Sequence, residues 1–319
     1  MFSVIIPAYN KGSYIAGAIC SVLAQSYQYF QLIIVCDPSS DDTSEIALSF
    51  NDSRVEVYER LYPGPGGYAA RNLGIEYARY DWICFLDADD EWFPDHLETM
   101  RYHIANSENI DFLCSGWLEK NKGVTKKKGL RFSNPSIGVW RFDLEGFLQK
   151  KLKGENLIHT NVVCVRKNLF LKVGGFPVGQ ALKGGDVSTW ISLITISGSF
   201  FAINRVTAVR HLSRSGVMFS STTSLSDMWL YYFLLRLQNN EKNLRLKKII
   251  KKYSNLIMIS EFSRYMRAGS LKLKHVKLYY HSISPVYGFS ILVLAVSPSL
   301  IQKKLLYFKD KLNWYPYSS

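Results

Sequence analysis

Short apolar runs recur through the first hundred residues, and each gives way to a polar segment with helical spacing. Val4-Ile5-Ile6, ended by Pro7, reads as a buried strand. Tyr14–Leu23 follows with helically spaced apolar positions and Ser13 as a candidate N-cap. Leu32-Ile33-Ile34-Val35 is a second strand, and the polar cluster Ser39–Ser44 opens a helix over Glu45–Phe50. Val55–Tyr58 gives a third strand. Pro63-Gly64-Pro65-Gly66-Gly67 suits neither a helix nor a strand interior and reads as a loop. Tyr68–Ala78 then predicts a helix, Trp82–Leu86 a fourth strand, and a further helix begins near Pro94. Apolar strands joined by helical crossovers predict an α/β fold, a Rossmann-like and mostly parallel central sheet with helices on both faces.

Beyond residue 110 the alternation fades. Phe112–Trp117 and Asn161–Val165 read as strands, Val187–Ile196 as a helix, and Lys120–Arg131 as a Lys/Gly-rich loop at a solvated hairpin tip. Ser213–Ser226, rich in Ser and Thr, marks a boundary. Met228–Tyr265 reads as helical, with Arg236, Lys242, Arg245, Lys247, Lys248, Lys251 and Lys252 among its apolar residues. The expected division is residues 1–212 as one α/β domain and 213–319 as a basic, mostly helical C-terminal appendage.

Composition narrows the class. Of 319 residues, 47% are hydrophobic and 14% aromatic, too many for a disordered chain. The cysteines at 20, 36, 84, 114 and 164 are odd in number and lack paired spacing, which disfavours a disulfide scaffold or a Cys-rich zinc module. Charge is segregated: residues 1–119 hold 6 Lys/Arg against 18 Asp/Glu, and residues 120–319 hold 33 against 8. An acidic front suits a cation; a basic back suits phosphates or an anionic surface. Met1 leads straight into the first strand with no signal-peptide pattern. Val286–Ile301, the longest apolar stretch, is interrupted by Gly288, Ser290, Ser297, Pro298 and Ser299, so no spanning helix is expected. The expectation is a cytoplasmic protein, soluble or held peripherally on the cytosolic membrane face. No RRM, KH or helix-turn-helix pattern accompanies the charge, so nucleic acid is not expected as a partner.

In open parallel sheets ligands bind at the carboxyl ends of strands. Pro7, Ala8, Tyr9 and Asn10 follow the first run, Cys36 and Asp37 the second, and Asp87, Ala88, Asp89, Asp90 and Glu91 the fourth. Carboxylates crowded this closely repel unless neutralised. A hard divalent cation, Mg²⁺ or Mn²⁺, shared with a substrate diphosphate would neutralise them; the alternative is a solvated loop leading into the helix near Pro94. Pro63–Gly67 before Arg71 is either a phosphate cradle or a surface turn, and Arg71 either a phosphate partner or a salt-bridge residue. The glycine run does not match the P-loop pattern, since no Gly-Lys-Ser/Thr follows it, and the first strand–helix turn lacks the G-x-G-x-x-G fingerprint, which disfavours a dinucleotide fold.

Four segments, Ser3–Asn10, Ile33–Asp37, Ala69-Ala70-Arg71-Asn72-Leu73-Gly74-Ile75 and Phe85–Asp90, resemble in order and spacing the family 2 glycosyltransferases of the GT-A fold. The resemblance continues at Val173–Pro177 and Gly184–Trp190, covering about two thirds of the chain; the last hundred residues carry none of it. It implies a metal-dependent, inverting transfer from a nucleoside diphosphate sugar, usually a UDP-sugar, to a hydroxyl acceptor in surface polysaccharide or glycolipid synthesis. Donor contacts would fall to Pro7, Ala8, Tyr9, Asn10, Asp37, Arg71, Asp87 and Ala88. Asp89 would ligate Mn²⁺ or Mg²⁺, joined by His211, which stands where the family often has a histidine near the diphosphate and is otherwise a structural histidine; Asp186 holds the place of the catalytic base. The acceptor would be a carbohydrate or a lipid-linked saccharide, reached from an anionic membrane surface.

Two positions depart from the family pattern. Cys36 replaces the first of two aspartates after the second strand, and Gly185 replaces the Glu usually found before the base. They motivate two competing readings, a non-catalytic sugar-nucleotide-binding or scaffold protein and, as a second enzyme class, a nucleotidyltransferase. His159 and Trp190 read as packing residues, and the Trp92–Trp117 region as core or acceptor pocket. Residues 212–319 carry 17 Lys/Arg against 4 Asp/Glu, interleaved with Leu, Tyr and Phe over Leu271–Tyr280 and Leu305–Tyr317. This suits either an anionic lipid surface or a face covering the catalytic domain.

Overall fold

The computed structural model describes residues 1–130, 138–214 and 228–267. In chain order its elements are β1 (Phe2–Ala8), α1 (Gly12–Leu23), β2 (Phe30–Cys36), α2 (Thr43–Leu48), β3 (Val55–Glu59), α3 (Tyr68–Tyr77), β4 (Trp82–Phe85), β5 (Glu91–Trp92) and α4 (His96–Ala105). Then follow β6 (Phe112–Asn121), β7 (Val124–Lys128), β8 (Val139–Phe142), α5 (Leu144–Leu152), β9 (Val163–Arg166), α6 (Lys167–Val173), α7 (Gly185–Ser197), β10 (Phe200–His211), α8 (Trp229–Asn240) and α9 (Leu244–Arg267).

One mixed sheet runs β3-β2-β1-β4-β9-β6-β10-β5, with β7 beside β6 and β8 beside β10. The leading half, β3-β2-β1-β4, is parallel throughout. Beyond β4 it is extended by antiparallel β9, while β6 and β10 run parallel to each other. The strand order reverses direction between β1 and β4, the position where such sheets open a ligand crevice.

Both faces of the leading half are covered, which explains its unbroken apolar runs. Val4 and Ile6 join Ile15, Ala18, Ile19 and Val22 of α1 in one buried cluster. Ile5, between them, points the other way onto α3, where a Cβ at Gly74 would lie 2.5 Å from Ile5 Cγ2. Alternate residues of β1 thus anchor one helix on each side. Trp190, Phe112, Phe170 and Phe176 form a further buried group of edge and tilted ring contacts. Trp190, Trp92 and Trp117 are therefore core residues.

Within the described residues, Lys120–Arg131 is the solvated hairpin tip expected from the sequence: β6 continues to Asn121 and pairs with β7 across a turn at Lys122-Gly123. This hairpin is exposed on both faces, so its strands carry no hydrophobic alternation. The helical stretch from 228 breaks at Glu241–Asn243, where the Asn243 carboxamide accepts from the N–H groups of Arg245 and Leu246 at 3.0 and 3.2 Å and caps α9.

The chain divides into two compact units. One comprises residues 1–147 and 156–229 and contains the whole sheet. The other, residues 148–155 with those from 230 onward, is helical where described. Among the described residues no helix is long and apolar enough to cross a membrane. Most of the Ser213–Ser226 boundary, and Leu271–Tyr280, Val286–Ile301 and Leu305–Tyr317, lie outside the described residues.

Candidate active site

The carboxyl ends of β1, β2 and β4 open onto a cleft of about 210 Å³. Pro7, Ala8, Tyr9 and Lys11 line it from β1, and Asp37 lines it from β2. Gly64, Gly66, Gly67, Ala70 and Arg71 line it from the glycine loop and α3, and Asp87, Ala88 and Asp89 from β4. Residues from all three strand ends thus meet at the switch point.

Asp37 is buried at 4% exposure, and its carboxylate takes the Arg60 guanidinium and the Gly64 N–H at 3.2 Å. This joins β2 to the loop before α3. Gly66 and Gly67 have φ of 68° and 67°, so two successive left-handed residues turn the loop into the N-terminus of α3. Arg71, one turn later, donates to Gly66 O at 2.7 Å and to Asp87 Oδ1 at 2.5 Å. Burial opposes ionisation of Asp87. The Arg71 guanidinium, with His159 and Arg210, nevertheless holds its carboxyl below the usual range.

The other two aspartates have separate roles. Asp89 Oδ2 accepts from Lys11 Nζ at 2.6 Å, and the same ammonium donates to Arg214 O at 3.0 Å. Asp90 turns away from the cleft. Its carboxylate accepts from Asn161 Nδ2 at 2.5 Å and from the His211 N–H at 2.6 Å, tying the β4 loop to β10. Burial and the charges of Asp87 and Asp89 push Asp90 up to about 7. Asp90 is a structural carboxyl group.

Three predicted residues lie outside the cleft lining. Asn10 is exposed with φ of 50°; its N–H donates to Ser39 Oγ, and its side-chain oxygen accepts from Ser40 N–H, locking two loops together. His211 ends β10, with ring Nε2 3.2 Å from Glu91 Oε1. Burial and Arg214 lower its pKa, so the ring is neutral near pH 7. Asp186 sits in the first turn of α7, half-buried. Among the described residues no hydrogen bond or ion pair engages its carboxylate.

The donor set decides whether a divalent cation suits this cleft. Among the described residues no group of three or more His, Cys, Asp or Glu side chains could hold a metal alone. Mg²⁺-type sites usually take one or two carboxylates and complete their shell with phosphate oxygens and water. Asp89, a hard oxygen donor on the cleft wall beside Asp87, fits that pattern. Lys11 stands where a cation would neutralise Asp89, so a metal and this ammonium would compete for one carboxylate.

Sequence reasoning did not find Lys11, Arg60 or Tyr68. Lys11 directly follows the first strand's loop, and that adjacency was the available signal. Arg60 and Tyr68 contact residues 23 and 117 positions away, which no local pattern displays.

Residues 3–169 match the family model described as Glycosyl transferase family 2. The UDP-Glc:alpha-D-GlcNAc-diphosphoundecaprenol beta-1,3-glucosyltransferase WfgD of Escherichia coli is 38% identical over 128 residues, 40% of this chain and 50% of that protein. The chain therefore spans about half the length of that relative. The putative teichuronic acid biosynthesis glycosyltransferase TuaG of Bacillus subtilis is 40% identical over 235 residues, covering 73% of this chain and 87% of the relative. Among solved structures, residues 1–349 of Staphylococcus aureus TarS in complex with UDP-GlcNAc superpose with a TM-score of 0.69 at 16% identity, over 99% of this chain and 93% of the other. At that identity the likeness concerns the fold.

Proposed function

Because the chain belongs to glycosyl transferase family 2, we propose that it transfers a sugar from a nucleoside diphosphate sugar, a UDP-sugar, to a hydroxyl of a lipid-linked saccharide. The role is in building a surface polysaccharide or glycolipid. The observation that carries the reading is the meeting of Asp37, Arg71, Asp87 and Asp89 in one cleft at the sheet's switch point. The Escherichia coli and Bacillus subtilis relatives, by their names, support the substrate class. The same reading takes residues 1–212 as the catalytic domain and 213–319 as its basic appendage.

In this mechanism Asp37, fixed by Arg60 and Gly64, receives the nucleobase edge. Tyr9, exposed at the cleft mouth, offers a ring face to the base. The N-terminus of α3 and the Arg71 guanidinium stabilise phosphate charge. Asp89 would hold Mn²⁺ or Mg²⁺, the ions the family generally uses, and Asp87, paired with Arg71, would lie nearer the ribose. When bound, the metal supplies Lewis-acid stabilisation of the leaving diphosphate. With a metal on Asp89, Lys11 would remain in the cleft as a second cation. Asp186 accepts the proton of the acceptor hydroxyl while that oxygen attacks the anomeric carbon, in one displacement with inversion. His211, whose backbone N–H holds Asp90 and whose ring Nε2 lies beside Glu91, is the second metal residue of this reading, its neutral ring being the form that ligates.

The reading predicts selective stabilisation by uridine nucleotides. In a thermal-shift panel with Mn²⁺, UDP-Glc and UDP-GlcNAc are expected to raise the melting temperature, and GDP- and ADP-sugars are not. At a concentration 100 times Kd the stabilisation is about 2.7 kcal/mol, a shift of several degrees. Equal shifts from purine nucleotides would remove the uridine assignment.

The basic appendage is proposed to hold the enzyme on an anionic membrane surface. Lys247, Lys248, Lys251 and Lys252 lie together in α9, and each basic residue near such a surface contributes about 1 kcal/mol. Replacing Lys247 and Lys248 with Gln in the full chain is expected to weaken binding to phosphatidylglycerol vesicles roughly tenfold or more. Undiminished binding of the double variant would refute this surface.

A further inference from the structure

The ring of Tyr68 lies between two backbone segments that the chain separates by more than a hundred residues. Tyr68 opens α3 and is only 5% exposed. On one side a Cβ at Gly66 would come within 2.8 Å of its Cε2; on the other a Cβ at Gly185 would come within 2.7 Å of its Cζ. Neither position tolerates a side chain while this ring is present. Gly66 lines the donor cleft, and Gly185 precedes Asp186 at the start of α7. The ring therefore spans from the glycine loop to the base-bearing helix.

Polar contacts fix the arrangement. The Tyr68 hydroxyl accepts the Gly185 N–H at 3.0 Å, satisfying a backbone donor that the helix itself leaves unpaired. Phe176 stacks on the ring, with centroids 6.0 Å apart and planes within 11°. Asn72 holds Phe176 in place by donating to its carbonyl at 2.9 Å and accepting its N–H at 2.8 Å. Arg71 lies over the Phe176 ring at 5.8 Å. Burial and the nearby charge of Asp186 push Tyr68 up to about 12, so its hydroxyl keeps its proton at neutral pH.

We propose that Tyr68 is a positioning residue for the transfer step, fixing the first turn of α7 and hence the Asp186 carboxylate relative to the donor cleft. The proposal rests on the reading of Asp186 as the base. It also accounts for glycine at position 185: the tyrosine ring occupies the volume that a side chain there would need.

The test is a double-mutant cycle in the full-length enzyme. Tyr68→Phe keeps the ring and removes the acceptor for Gly185 N–H. It is expected to lower kcat about tenfold, with donor KM and the affinity for UDP with Mn²⁺ changed less than twofold. In an Asp186→Asn background the same substitution is expected to have no further effect. Gly185→Ala pushes a methyl group against the ring and is expected to reproduce the kcat loss from the other side, with donor affinity again retained. An undiminished kcat in Tyr68→Phe, or an equal tenfold loss with and without Asp186, would overturn the positioning role. A fully active Asp186→Asn enzyme would instead overturn the base assignment, a result visible before the cycle is closed.

Discussion

Replacing Asp186 with Asn is expected to slow transfer by about 10²–10⁴-fold, the usual worth of a positioned proton acceptor. The substitution keeps shape and removes basicity. Asp186 lies half-buried in the first turn of α7, outside the cleft lining, and among the described residues no hydrogen bond or ion pair holds its carboxylate. UDP affinity and melting temperature should therefore stay close to those of the parent. Isothermal titration with UDP and Mn²⁺ checks the first, and thermal unfolding the second. A loss of only twofold in kcat would remove Asp186 from the base role; an equal loss of UDP affinity would make it a donor-site residue.

The second large effect concerns Asp89. Asp89→Asn leaves a weaker oxygen donor on the cleft wall. Losing an outer-sphere partner already costs 10–100-fold in metal affinity, so losing the ligand itself should cost about 100-fold or more in Mn²⁺-dependent UDP binding. Lys11→Met should act in the opposite direction on the metal. With the ammonium 2.6 Å from Asp89 Oδ2 removed, Mn²⁺ competes with nothing, and its affinity, followed by electron paramagnetic resonance, should rise. An Asp89→Asn protein that binds Mn²⁺ and UDP like the parent would place the metal elsewhere.

The leading half of the sheet was legible in the sequence because β1, β2 and β4 are buried on both faces and their apolar runs end abruptly in chemistry-bearing residues. Val4-Ile5-Ile6 before Pro7 and Ile83–Leu86 before Asp87 mark the cleft wall directly. Asp37, at a strand's carboxyl end, and Arg71, after the glycine loop, were already candidates; the family pattern gave them donor-binding roles and added Asp186, which no hydrophobic period can single out. The Lys-rich tip of the β6–β7 hairpin was legible from its Lys/Gly composition, but its strand bounds were not, since both faces meet water and alternation has no cause there. Nor did the pattern show the break before α9, although Asn243 was a ready cap. Within the site, Asp87, Asp89 and Asp90 look equivalent as a sequence. Three-dimensional neighbours distinguish them: Arg71 for Asp87, Lys11 for Asp89, and Asn161 with the His211 backbone for Asp90. Gly185 read in the sequence as a lost contact beside the base, whereas the structure gives it a steric cause in Tyr68.

The central claim is transfer of a sugar from a UDP-sugar by a single inverting displacement. Its most direct test incubates the full-length chain with Mn²⁺, a UDP-sugar and a lipid diphosphate-linked saccharide, then analyses the products. The account predicts UDP and a lengthened lipid-linked saccharide in equal amounts, no pyrophosphate, and a β-glycosidic bond formed from the α-linked donor. Release of pyrophosphate, or an α-glycosidic product, would contradict it.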